Sequence, residues 1–291
     1  MAIIIQHIVN GIIVGSIYAL MAIGFAMVFS LLGLINFSHG QIFMLGGFIA
    51  LFVTRYISGN LFIVLFLTLA LISVVGIGVE KIAIRPLRDR KAARASSLIT
   101  TLGVGIFIEN MVIVIYGADH QSFRPPFPVR FFNVHGVFIS SLDIIIIVIT
   151  LLLLVLISLL MYKTKYGAVI RACSQDFEAT SLMGVNVNRI IAGVFAIGSM
   201  LAALGGILIG YYFNSVDPGM GTIVGMKGFT ASVLGGTGMI SGAVVGGIVL
   251  GMLESIGAAI FTAQFRDIIA FTALILILLF KPEGLLGKKG G

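Results

Sequence analysis

Charge is what this chain has least of. Only 10% of its 291 residues are Asp, Glu, Lys or Arg, against about 25% in an ordinary soluble domain. A single cysteine, Cys173, excludes a disulfide framework and any paired-cysteine metal site. The four histidines (7, 39, 120 and 135) show no metal-ligand spacing. Tryptophan is absent, and no Lys or Arg precedes Arg55. The N-terminal stretch therefore lacks the basic region of a secretory signal peptide and reads as a retained first span. No HExxH, GxSxG, GxxxxGK[ST] or GxGxxG pattern occurs. This argues against an enzyme and against nucleotide binding by those motifs.

What is present is hydrocarbon, with 59% hydrophobic residues and solid blocks such as "IIIIVITLLLLVLISLLMY" (144–162). A membrane β-barrel would show short segments of alternating polarity instead. The expected fold is all-α, a polytopic integral membrane bundle of about nine elements, with eight or ten as alternatives. The apolar blocks fall at about 6–32, 40–57, 61–79, 97–116, 139–161, 190–213, 223–237, 241–262 and 266–280. The 223–237 block is short and Gly-rich, which suggests a broken or re-entrant segment. The chain reads as one domain, 1–291, with a polar segment at 163–190.

The net charge of +7 is better explained by basic membrane loops than by nucleic acid. Thirteen Lys and Arg fall on one side of an odd-numbered bundle: Lys81, Arg85, Arg88, Arg90, Lys91, Arg94, Lys163, Lys165, Arg171, Arg189, Lys281, Lys288 and Lys289. Arg55, Arg124, Arg130 and Arg266 fall on the other, and Lys227 lies within a span. The positive-inside rule then predicts an outside N-terminus and a cytoplasmic C-terminus. The Pro-containing 117–138 loop faces outward, as a connector or a lid.

Glycine is abundant, with 37 residues. Pairs four apart (Gly11/Gly15, Gly206/Gly210, Gly242/Gly246, Gly247/Gly251) point to close helix packing. Three acidic or amide positions sit at membrane depth: Glu109, Asn110 and Glu254. A carboxylate there costs about 2.5–3.5 kcal/mol and needs a partner or water. Pairing with Lys227 is open to either Glu109 or Glu254, in a polar path or a structural pair. Asn36, Ser38 and His39 in "INFSHGQ" sit at a break, as helix cap or as substrate contacts. A weak echo of that break occurs at 217–236, the pattern of paired broken helices in transporters.

The stretch "RACSQDFEATSLMGVN" (171–186) is polar, and Asp176, Phe177 and Glu178 open a predicted helix. Its Glu178, Ala179, Thr180 and Gly184 resemble the EAA-x-x-x-G loop of ABC importer permeases, with Thr180 at a position usually Ala. Wider stretches resemble the branched-chain amino acid permeases: 15–50, "TLGVGIFIEN" (101–110), 229–255 and 266–287. The short length and N-terminal segment resemble the smaller of that system's two permeases. The resemblance implies a transport subunit in a bacterial or archaeal cytoplasmic membrane. It implies partners: a second homologous permease, two ATP-binding subunits and an extracytoplasmic solute-binding protein, besides membrane lipid. ATP would be used by those partners, with no cofactor on this chain. It implies ATPase coupling through Asp176, Glu178, Ala179, Thr180 and Gly184. Leu, Ile and Val are the implied cargo, with urea or short amides as the sister alternative. A gradient-driven transporter using Glu109, Glu254 and Asp143 is the remaining competitor.

Overall fold

The computed structural model describes residues 2–90 and 92–287. Lys91, Lys288 and Lys289 of the basic groups lie outside the described residues. Among these, nine helices occupy the nine apolar blocks: α1 (Ala2–Leu32), α2 (Ser38–Tyr56), α3 (Leu61–Val79), α5 (Arg94–Tyr116), α6 (Ser141–Lys163), α9 (Val187–Phe213), α10 (Met220–Gly235), α11 (Ile240–Ile260) and α12 (Arg266–Phe280). Shorter helices lie between them: α4 (Arg85–Asp89), α7 (Lys165–Gln175) and α8 (Phe177–Leu182). Six of the long helices, α1, α3, α5, α6, α9 and α11, are long and apolar enough to cross a membrane. α10 and α12 have 16 and 15 residues, so about 24 and 22 Å at 1.5 Å per residue. Both fall short of the ~30 Å hydrocarbon core. α2 opens on Ser38, His39, Gly40 and Gln41, which dilutes its apolar run.

α1 and α9 form the centre. In their most apolar stretches 83% and 72% of residues are buried, against 28% in α3 and 22% in both α5 and α6. The outer helices expose Phe62, Phe66, Val114, Leu151 and Leu152, the apolar exterior expected of helices facing lipid. The expected small-residue seams carry the packing. A Cβ on Gly251 would fall onto the backbone of Gly11 and Gly15, and one on Gly247 onto Ala19. Gly206 likewise takes the Phe43 carbonyl of α2, and Gly246 takes Ala231 of α10. Without side chains in the way, the backbones approach to van der Waals contact.

The basic stretch between the 61–79 and 97–116 blocks, read as a membrane loop, is instead helical to Asp89. α3 runs through a π turn at Glu80–Ile84 into α4. Pro86 is the second residue of α4, directly after the π turn, where the α-helical ladder is already interrupted. Glu80 is fully buried, and Arg85 grips it with two hydrogen bonds (3.1 and 2.7 Å). Arg88 reaches Glu80 at 3.7 Å and also bonds Asn188 at the start of α9. The charged α4 end is thereby tied to the core.

Two end regions result. At one, α4, α7 and α8 meet the start of α9, and the tail returns to the α10–α11 turn, where Leu285 N–H donates to Leu234 C=O (2.8 Å). At the other, two short pairings join the helical bundle: β1 (Gln121–Ser122) with β4 (Ser215–Val216), and the hairpin β2 (Phe131–Val134) with β3 (Val137–Ser140). The 117–138 loop is fixed there. Phe123 is buried against Tyr211 with ring centroids 4.4 Å apart, and Arg55 donates to the Ser122 carbonyl (3.1 Å).

The seam predicts a position-specific cost. Gly251→Ala forces α1 and α11 apart and loses about 1–3 kcal/mol. Gly78→Ala enters open space and leaves stability unchanged or raises it through helix propensity. Thermal unfolding of the detergent-solubilised variants checks this; equal midpoints would contradict the close-packed seam.

Candidate functional site

Two polar clusters lie within the bundle, one on each side of α10. The first joins α2, α5 and α10. Gln41 Nε2 donates to Glu109 Oε2 (2.9 Å) and to Thr222 Oγ1 (2.8 Å), and Thr222 Oγ1 donates to Glu109 Oε2 at 3.3 Å. A cavity of about 190 Å³ adjoins it, lined by Phe25, Phe37 and Leu102 among others. Gln41 and Thr222 meet because α2 and α10 cross at glycines: a Cβ on Gly40 would strike the Gly221 carbonyl and Gly225. The two broken segments of the sequence echo thus lie against each other.

The second cluster joins α1, α10, α11 and α12. Lys227 Nζ lies 3.2 Å from Glu254 Oε1 and 2.7 Å from Asp267 Oδ1. It donates to Glu254 Oε2 at 3.3 Å, and Tyr18 Oη donates to the same oxygen at 2.9 Å. Of the two carboxylates open to Lys227, the fold selects Glu254. Lys227 and Glu254 are 6% and 3% exposed, so each charge needs the other. This cluster borders a cavity of about 440 Å³, which also meets Arg266 and, at the β1–β4 end, Asp217 and His120. His120 is 77% exposed, so the cavity reaches the surface there.

The six path candidates therefore separate. Glu109 belongs to the first cluster and Glu254 to the second. Asn110 follows Glu109 in sequence but points outward, its Nδ2 donating to the Ile106 carbonyl of its own helix (2.8 Å). Asn36, Ser38 and His39 are buried and line neither cavity. Asn36 Oδ1 accepts from Ser38 N–H (3.2 Å) and Ser38 Oγ (2.6 Å), a local turn at the head of α2. His39 packs on Phe25, ring centroids 4.6 Å apart, in space left by Gly24. Gln41, Thr222, Tyr18 and Asp267 escaped the sequence reading. Each is an ordinary residue until the fold supplies its neighbour.

The polar knob is two helices, α7 and α8, broken at Asp176. Asp176 Oδ1 accepts from the N–H groups of Glu178 (2.8 Å) and Ala179 (3.0 Å), capping α8. Thr180 Oγ1 donates to the Asp176 carbonyl (2.7 Å), and Thr180 is buried. Gly184 ends the knob with φ +81° and open space around it, so it is needed for backbone conformation rather than for room. Ala179 is exposed, and so is Glu178, whose carboxylate has no ion-pair partner in this chain among the described residues. The tip residues Leu182 and Met183 are 87% and 84% exposed.

Cys173 is buried where α7 meets α8, and burial pushes its thiol up, partly offset by the Thr180 hydroxyl. Since only the thiolate reacts, iodoacetamide labelling stays slow at neutral pH and rises on denaturation. Prompt labelling of the native protein would show that α7 and α8 are not packed together.

Comparison with known proteins gives one family along the chain. Residues 7–278 match the family described as "Branched-chain amino acid transport system / permease component". The high-affinity branched-chain amino acid transport system permease protein BraD of Pseudomonas aeruginosa is 40% identical over 98% of this chain and 96% of its own length. LivH of Escherichia coli K12, of the same description, is 34% identical over the same shares. A probable branched-chain amino acid transport permease protein LivH of Methanocaldococcus jannaschii is 26% identical over 96% of this chain and 91% of its own length. No solved structure matches. With the family covering residues 7–278 and two such relatives above 30% identity along nearly the whole chain, the protein belongs to the permease components of branched-chain amino acid transport systems.

Proposed function

We propose that this chain is the permease subunit of an ATP-driven importer that carries branched-chain amino acids across the cytoplasmic membrane by alternating access. The observation that carries the reading is the near-full-length likeness to branched-chain permeases in a chain that also presents a solvent-facing helical knob. Importing against a gradient needs an energy source, and no nucleotide-binding motif occurs in this sequence. Hydrolysis then belongs to two separate ATP-binding subunits. A second homologous permease completes the pathway, and an extracytoplasmic binding protein delivers the cargo.

The α4, α7 and α8 end is the cytoplasmic one in this reading. Its described basic residues include Arg85, Arg88, Arg90, Lys163, Lys165, Arg171, Arg189 and Lys281, whereas the opposite end offers Arg55, Arg124, Arg130 and Arg266. That asymmetry follows the positive-inside rule and puts the N-terminus outside. α8 is the handle that the ATP-binding subunit grips. Leu182 and Met183 supply an apolar tip, Glu178 a free charge, and Asp176, Ala179, Thr180 and Gly184 its rigid shape. α7 bears on both α6 and α9, so a pull on the knob reaches the transmembrane core.

Two measurements test this. In proteoliposomes holding the assembled transporter and binding protein, leucine uptake requires ATP and survives collapse of ion gradients. Uptake without ATP that dies with the gradient would sink the importer reading, and uptake of urea without leucine would sink the cargo. In co-purification, Glu178→Lys releases the ATP-binding subunit. Gly184→Val, strained at positive φ, does the same, while Gly184→Asn, which tolerates that conformation, retains it. Full retention by Glu178→Lys and Gly184→Val would remove the knob's coupling role.

A further inference from the structure

We propose that the 440 Å³ cavity between α1, α9, α10 and α11 is the transient substrate site, holding an aliphatic α-amino acid as its zwitterion. The inference rests on the transport reading above and names the place and the chemistry. The polar side of the cavity is unfinished in a particular way. Glu254 Oε1, although 3.2 Å from Lys227 Nζ, has no hydrogen-bond partner among the described residues, and neither has Arg266 Nε. Lys227 has three N–H donors; one bonds Glu254 Oε2, and Asp267 is its ion-pair contact at 2.7 Å. A buried acceptor without a donor and buried donors without an acceptor are each costly. An ammonium answers the first and a carboxylate the second. One molecule that carries both on adjacent positions answers them together, with no net charge brought into the membrane.

The opposite wall is apolar: Val14 of α1, Ile209 of α9, and Ile223 and Val224 of α10. A branched aliphatic side chain is the complement of that surface. The volume lies within the range of small-molecule pockets. The cavity opens past His120 at the β1–β4 end, where a binding protein would dock in the orientation proposed above. The Glu109 cavity offers less: it is about 190 Å³, and its carboxylate already accepts from Gln41 and Thr222.

Cysteine protection tests the assignment. Ile223→Cys on α10 and Val14→Cys on α1 place a thiol in the wall, and Leu102→Cys places one in the Glu109 cavity. Native Cys173 is buried and sets the background. A small charged methanethiosulfonate reagent is added from the β1–β4 side to the assembled, ATP-free transporter. L-Leucine at ten times its half-saturating concentration slows modification of Ile223→Cys and Val14→Cys about tenfold, as occupancy requires. It leaves Leu102→Cys unchanged. Leucine analogues without the amino group or without the carboxylate protect several-fold less. Unchanged rates at both wall positions, or protection at Leu102→Cys instead, would overturn the site. If Ile223→Cys does not assemble, Val14→Cys carries the test. Wild-type uptake is measured alongside. Leucine uptake without protection rejects this site alone, whereas no leucine uptake rejects the transport reading itself.

Discussion

The structure depends on the backbone contact between α1 and α11. Gly11 and Gly15 meet Gly251, and Ala19 meets Gly247, with no side chain between. In lipid, no hydrophobic effect drives two apolar helices together, so close packing has to do it. The same closeness lets Tyr18 of α1 reach Glu254 of α11. Glu254 then holds Lys227 of α10, and Lys227 holds Asp267 of α12. A steric contact between glycines thus fixes the spacing of an ionic network that spans four helices.

Stiffness and looseness are distributed accordingly. α1 and α9 are mostly buried, while α3, α5 and α6 surround them with apolar exteriors. α10 is a short element between two polar clusters, ending at Gly235 with Gly236 beyond it, and preceded by the Gly219 turn. It carries Thr222 toward Glu109 and Lys227 toward Glu254. A rotation of α10 would alter both clusters together, since Thr222 and Lys227 sit on the same short helix.

Much of this was legible in the sequence. The helix positions followed from long apolar runs and their polar breaks, so α12 spans 266–280 as expected and α9 and α11 differ by a few residues. The glycine pairs were readable because four-residue spacing is a local signal. The helix opening at Asp176 was readable for the same reason, whereas its capping bonds and the break from α7 came only with the structure. Partner choice was not. Whether Lys227 meets Glu109 or Glu254 depends on which way α10 turns, and no local pattern encodes that. The pairing of residues 121–122 with 215–216 joins segments far apart in the chain. Asn110 sits beside Glu109 in sequence, yet one helical step turns it to the outer face. The extension of α3 to Asp89 was hidden by its charges, which read as a loop until Glu80 is seen to gather Arg85 and Arg88.

The Lys227–Glu254 pair also constrains how the chain is made. Synthesis runs from the N-terminus, so α10 emerges with its lysine 27 residues before the carboxylate that neutralises it. An unpaired lysine at helix centre costs about 2.5–3.5 kcal/mol on insertion scales, and α10 is short. It is a poor candidate to leave the translocon alone. The tight Gly236–Gly238 turn, with both glycines at positive φ, folds α10 back on α11. Inserted as one hairpin, the two helices would carry these charges into the bilayer already joined.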